Sequence, residues 1–134
     1  MLRMAAGVIA GLVAWAIVAT LGNLVLRAAL PGYTQVEAAM NFTLVMMLSR
    51  LFLGVVSSFC AGFVTAWIAK RRIAATIVAG IMLVLFLPVH YRLWDKFPAW
   101  YHGVFLLSLL IAPIVGAMCY LRWNRSSADE LPTR

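Results

Sequence analysis

"TLVMMLSRLFLGVVSSFCAGFVTAWIAKRR", residues 43–72, decides the fold. From Thr43 to Ala69 it carries a single charge, Arg50, and it then ends in three consecutive basic residues. A bilayer-spanning helix needs about 20 mostly apolar residues, and Lys/Arg placed directly after such a run marks a membrane boundary. Gly54, Ser58, Gly62 and Ala66 recur at a spacing of four, so they form one stripe of small residues on a helix. Lipid is as apolar as leucine, and close approach at small residues is what holds membrane helices together. Arg50 lies four residues before Gly54 and extends that stripe. It is therefore expected in a helix interface rather than in lipid, with Leu53 on the lipid side.

The flanking sequence repeats the pattern. Apolar runs at about 5–28, 73–94 and 98–121 join 43–69 to make four spans. The 22 residues from Ala5 to Leu26 exceed the h-region of a signal peptide (about 7–15 residues), so this run reads as a retained helix. "LPGYTQ" closes it with Pro31 and Gly32. Pro98 suits a first helical turn, whereas Pro88 and Pro113 fall inside spans. Gly7 and Gly11 form a GxxxG pair in the first span. Thr34 and Glu37 fit a T-x-x-E capping box, which allows either a long helix from residue 35 or a separate surface turn over 35–41.

The whole chain agrees. Of its 134 residues, 65% are hydrophobic and 11% charged, against about a quarter charged in soluble proteins. The expected fold is all-α, a single bundle of four transmembrane helices over 1–122. Residues 123–134 are expected to form a loose polar tail. The net charge of +7 comes from basic residues at span edges, not from a nucleic-acid patch. Arg3, Lys70, Arg71, Arg72, Arg122, Arg125 and Arg134 lie on one side, against Arg27, Arg92 and Lys96 on the other. The positive-inside rule then places both termini in the cytoplasm. Tyr33, Tyr91, Trp94, Trp100 and Tyr101 are expected in the outer aromatic belt, with Trp67, Tyr120 and Trp123 in the inner one. Cys60 and Cys119 lie in apolar runs without CxxC spacing and read as buried packing residues.

Polar chemistry concentrates at the outer ends of the spans. A charge at helix-centre depth costs about 2.5–3.5 kcal/mol on insertion scales, so Arg50 needs an explanation. It can hold an anionic ligand or lipid headgroup, pair with a carboxylate, or snorkel. Glu37 is about 220° from Arg50 on a continuous helix, so the two share a face only if the helix breaks near Asn41. Asn23, Arg27, Glu37, Asn41 and Arg50 are the candidate outer-leaflet cluster. A second candidate is "LPVHYRLWDKFPAWYH", residues 87–102. It reads first as an interfacial hairpin in which His90, Arg92, Trp94, Asp95, Lys96, Trp100 and His102 anchor in headgroups. His90 and His102 are each six residues from Lys96, so a tight hairpin brings them to similar depth. A bis-histidine haem or metal site is the alternative.

HExxH, GxSxG, Walker-type and Cys/His zinc patterns are all missing from the sequence, and no acid lies within a span. The leading expectation is a non-enzymatic membrane subunit or scaffold, in the bacterial inner membrane. It would bind a protein partner, a second copy or an anionic lipid through the outer cluster. The alternative is a small carrier of an anionic or amphipathic molecule through Arg50 and Arg27.

Overall fold

The computed structural model describes residues 1–129 and is all-helical. Helix α1 runs Leu2–Ala29, α2 Tyr33–Glu37, α3 Leu44–Ala69, α4 Arg72–Arg92 and α5 Ala99–Asp129, with a 3-10 turn at Trp94–Lys96 before α5. Helices α1, α3, α4 and α5 are each long and apolar enough to cross a membrane. The chain thus fits a multi-pass membrane protein built as a helical bundle. Pro88 and Pro113 both lie inside helices.

Helix α3 is the central element and packs on α1, α4 and α5. Small residues let it do so. A Cβ on Gly7 would come within 2.9 Å of the Thr65 carbonyl and the Ala69 side chain, and one on Gly11 would meet Thr65 and the Ala61 carbonyl. On the α5 side, a Cβ on Gly62 would strike the Pro113 backbone, and one on Gly116 the Phe59 carbonyl. Gly54, Ser58, Gly62 and Ala66 are all buried inside the bundle, so the stripe is used up within one chain. In α1 only Gly7 and Gly11 are buried, which makes α1 the least enclosed helix. Leu53, expected on the lipid side, instead packs its side chain against Gly22 of α1.

The 35–69 region breaks into two helices, and the capping-box reading fails. Helix α2 starts from Gly32, whose φ of 76° is a left-handed conformation that glycine adopts without penalty. No side chain caps it, and Glu37 bonds elsewhere. Met40 also takes a left-handed conformation, φ 58°, and turns the chain. Helix α3 is then capped by Thr43, whose side chain accepts from the Met46 N–H at 3.4 Å. At the other end of α3, Lys70 takes the left-handed C-cap position, and its ammonium donates to the Tyr120 hydroxyl and lies over that ring.

Three further expectations are corrected. Residues 123–129 continue α5 as helix, because backbone hydrogen bonds carry a helix through polar residues as readily as through apolar ones; residues 130–134 lie outside the described residues. Cys60 is half-buried and Cys119 exposed, and both are free thiols rather than buried packing groups. Tyr33, Tyr101 and Tyr120, expected in the aromatic belts, are 0%, 4% and 6% exposed, whereas Tyr91, Trp94, Trp100, Trp67 and Trp123 do face outward.

Candidate functional site

The break between α2 and α3 folds α2 back over the end of α1. It brings Tyr33 and Glu37 onto Asn23 and Arg27. Arg50 reaches the same place from α3, six residues beyond Leu44, about 9 Å into the helix at 1.5 Å per residue. A directional relay results. The Arg50 guanidinium donates to the Tyr33 hydroxyl at 2.6 Å, and that hydroxyl donates to Asn23 Oδ1 at 3.0 Å. Asn23 Nδ2 in turn donates to Glu37 Oε1 at 3.4 Å. Arg27 grips Glu37 with both ends of its fork, Nε to Oε2 at 2.9 Å and Nη2 to Oε1 at 3.1 Å. Two-point contact is the strong geometry for a guanidinium and a carboxylate. It holds the Glu37 carboxyl below its ordinary range, chiefly through the Arg27 hydrogen bonds, against an opposing contribution from burial and with help from Asn23.

Arg50 is the unbalanced member. Glu37 is committed to Arg27, and among the described residues Arg27–Glu37 is the one salt bridge. Arg50 has instead the Tyr33 hydroxyl, a further interaction with the Tyr101 hydroxyl, and the face of Phe42, 4.7 Å from its guanidinium carbon. Its Nε is buried with no hydrogen-bond partner. Arg50 lines a cavity of about 420 Å³ between α1, the N-terminal parts of α3 and α5 and the C-terminal part of α4. Asn23, Arg27, Thr20 and Tyr101 supply the polar wall, and Leu24, Leu53, Phe86 and Phe105 the apolar one. Trp15 also lines the cavity; its indole N–H donates to Ser58 at 3.2 Å and its ring packs edge-on to Phe86. A largely apolar cleft with a few convergent polar groups is the usual form of a small-molecule site.

The structure therefore brings together Asn23, Arg27, Glu37 and Arg50. Asn41 stays out: it is exposed beyond the Met40 turn, and only its backbone N–H is engaged, with Val36. Tyr33, Phe42 and Tyr101 belong to the site and were missed. Aromatics near a span end read as belt residues, and nothing in their spacing distinguishes an inward one.

The hairpin also differs from expectation. Arg92, Trp94, Asp95, Lys96 and Trp100 are exposed, as headgroup anchors should be, but His90 and His102 are 7% and 1% exposed. Their Nδ1 atoms lie 2.7 Å apart, a direct hydrogen bond, with the rings edge-to-face. Two nitrogens at about 2.0–2.1 Å from one metal in tetrahedral geometry stand more than 3 Å apart, and no porphyrin fits between rings in hydrogen-bonded contact. The haem or metal reading does not suit this pair. Around it, Trp94 stacks on His102 at 4.8 Å and Phe105 packs on His90 at 4.6 Å.

No family model, curated protein or solved structure matches the chain.

Proposed function

We propose that the protein is a non-enzymatic membrane protein that binds an anionic amphiphile in the Arg50 cavity. Its ligand is a lipid-like molecule with a phosphate or carboxylate head. One observation carries this reading: Arg50 is a cation in a largely apolar cleft, with no carboxylate within salt-bridge distance among the described residues and its Nε unpaired. An anionic head in the cleft supplies the guanidinium with the counter-charge it lacks. Asn23 and Tyr101 stand in the same wall to orient the head, and Leu24, Leu53 and Phe105 accept the chain. Helix α1, the least enclosed, forms one wall of the cleft and offers a route from lipid. Binding a lipid in this way serves either a subunit that needs a fixed lipid or a carrier.

The test is ligand retention. Native mass spectrometry on protein reconstituted with phosphatidylglycerol, phosphatidylcholine or oleate should show retention of phosphatidylglycerol or oleate over phosphatidylcholine. The preferred anion tells phosphate from carboxylate. Arg50→Gln should abolish the preference, and equal retention by the variant would sink the reading.

The setting follows from charge. We place the protein in a bacterial inner membrane with both termini and the 70–72 turn cytoplasmic, because the Lys/Arg excess lies on that side. The Arg50 cavity then opens in the outer leaflet. Reporter fusions after residue 72 should show cytoplasmic activity and fusions after residue 96 the opposite; a reversed pattern would move the cavity to the inner leaflet.

A further inference from the structure

A second recess lies beside the Arg50 cavity. It is a groove of about 490 Å³ between α1 and α3, walled chiefly by Val25 and Leu26 on one helix and by Leu48, Phe52 and Val56 on the other. Leu53 lines both spaces. Gly22, also on the groove, has no side chain to hold Leu53 off, so Leu53 lies in the seam between α1 and α3 as a wall that cavity and groove share.

The two spaces differ in chemistry. Arg27, Arg50, Asn23 and Tyr101 face the cavity, whereas no charged side chain lines the groove. The groove's one polar side chain, Ser49, already donates its hydroxyl to the Val45 carbonyl at 2.8 Å. A head group finds nothing to bind there, and hydrocarbon does. Yet the spaces begin side by side: Leu26 of the groove precedes Arg27 of the cavity, and Ser49 of the groove precedes Arg50 of the cavity. At 1.5 Å per residue the cavity follows α1 for about 18 Å from Arg27 to Trp15, and the groove follows α3 for about 12 Å from Leu48 to Val56. Both are long and mostly apolar, which suits acyl chains that leave a common head.

We propose that the ligand is a two-chain anionic lipid seated astride Leu53, its head at Arg50, one acyl chain in the cavity and the other in the groove. This rests on the anion reading above and narrows it, since a fatty acid or a single-chain lipid has nothing to place in the groove. Bilayer tails are as apolar as the groove, so leaving the bilayer contributes little to binding. What the second chain gains is dispersion contact with a shaped wall. The held head also keeps that chain at high effective concentration beside the groove. An unattached bilayer lipid entering the groove has no such tether.

The test varies chain number at a fixed head. Protein in detergent is exchanged with phosphatidylglycerol, lysophosphatidylglycerol, phosphatidylcholine and lysophosphatidylcholine, all carrying the same acyl chain, and retention is read by native mass spectrometry. The choline pair measures how a second chain alters retention without an anionic head. Beyond that ratio, wild type should retain phosphatidylglycerol over its lyso form by at least about tenfold, the low end of what tethering a second binding group gives. Val25→Trp and Leu48→Trp fill the groove from α1 and from α3, at exposed positions that do not line the cavity. In either variant that melts like wild type, the excess should vanish while phosphatidylglycerol stays preferred over phosphatidylcholine. Equal chain discrimination for the two heads in wild type, which needs no variant to read, would overturn the two-chain seat and leave the anion reading standing. So would an excess that survives in both variants. No wild-type preference for phosphatidylglycerol over phosphatidylcholine would overturn the anion reading and the two-chain seat with it.

Discussion

At Gly62, helices α3 and α5 meet with the Pro113 backbone where a side chain would stand. Twelve residues earlier, at Arg50, the same helices are bridged by side chains: Leu51, Phe97 and Tyr101 pack together beside an open cavity. The half of the bundle around Gly62 is close-packed, cored by Ala61, Val78, Met82 and Leu109 and then by Ala66, Ala75 and Ala117. The Arg50 half is held by a polar relay and by stacked aromatics. Such interiors respond differently to change. A close-packed backbone contact has no room to relax, whereas side chains around a cavity can shift. One half supplies rigidity, and the other supplies space for a ligand.

The largest effect should come from breaking the tight half. Gly62→Leu must push α3 off the Pro113 carbonyl. Overpacking commonly costs about 1–3 kcal/mol and sometimes more, and backbone cannot yield as a side chain does, so the loss should reach or pass the top of that range. Thermal melting in detergent reads it. Gly80, where an added Cβ meets open space, is the matched comparison: Gly80→Ala should be neutral or stabilise by up to about 1 kcal/mol through helix propensity. If Gly62→Leu melts like Gly80→Ala, the two halves do not differ in the way described.

The two halves were also unequally legible. Spans, their ends and the small-residue stripe follow from composition and spacing, because length and hydropathy are local properties. The cavity half depends on helix phase, which is not. His90 and His102 could be placed at one depth by counting from Lys96, but whether they faced each other depended on the rotation introduced by the 3-10 turn. Asn23, Arg27, Glu37 and Arg50 could be grouped by leaflet, but their contact required a chain break whose signals pointed the wrong way. Thr34 and Glu37 match a capping box, while the residues that shape the break are Gly32, Met40 and Thr43. Leu53 could not be assigned to α1 without knowing that Gly22 opposes it.

Arg50→Leu sharpens the comparison from the other side. Removing one partner of a buried ion pair leaves the other charge stranded and costs about 3–5 kcal/mol. Here Glu37 keeps Arg27, and what Arg50 leaves behind is two tyrosine hydroxyls, Tyr33, which still bonds Asn23, and Tyr101, on the cavity wall. Melting should therefore change by less than about 1.5 kcal/mol, the usual net worth of one hydrogen bond, or rise, since a costly cation is gone from the span. Lipid retention should nevertheless fall. A drop of several kcal/mol would mean that Arg50 is structural and that the polar half is as tightly constrained as the Gly62 half.

The smallest effect is expected where α2 is clamped to α1. Glu37 has an ordinary carboxyl value of 4.5 when unfolded and a lower one when folded, chiefly because Arg27 hydrogen-bonds its ionised form. A depressed carboxylate stabilises the fold above its unfolded value, and that contribution disappears as pH falls through the folded value. The side chains of Arg27 and Glu37 are 43% and 21% exposed, so solvent screens much of the attraction and the pair should be worth no more than about 1 kcal/mol. Glu37→Gln should melt slightly below wild type at pH 6, and the gap should close on acidification below pH 4.5 and narrow in high salt. A gap that is large at pH 6 would mean that the α2 clamp holds the cavity half together much as Gly62 holds the other. A gap that fails to close in acid would mean that Glu37 acts through packing rather than through its charge.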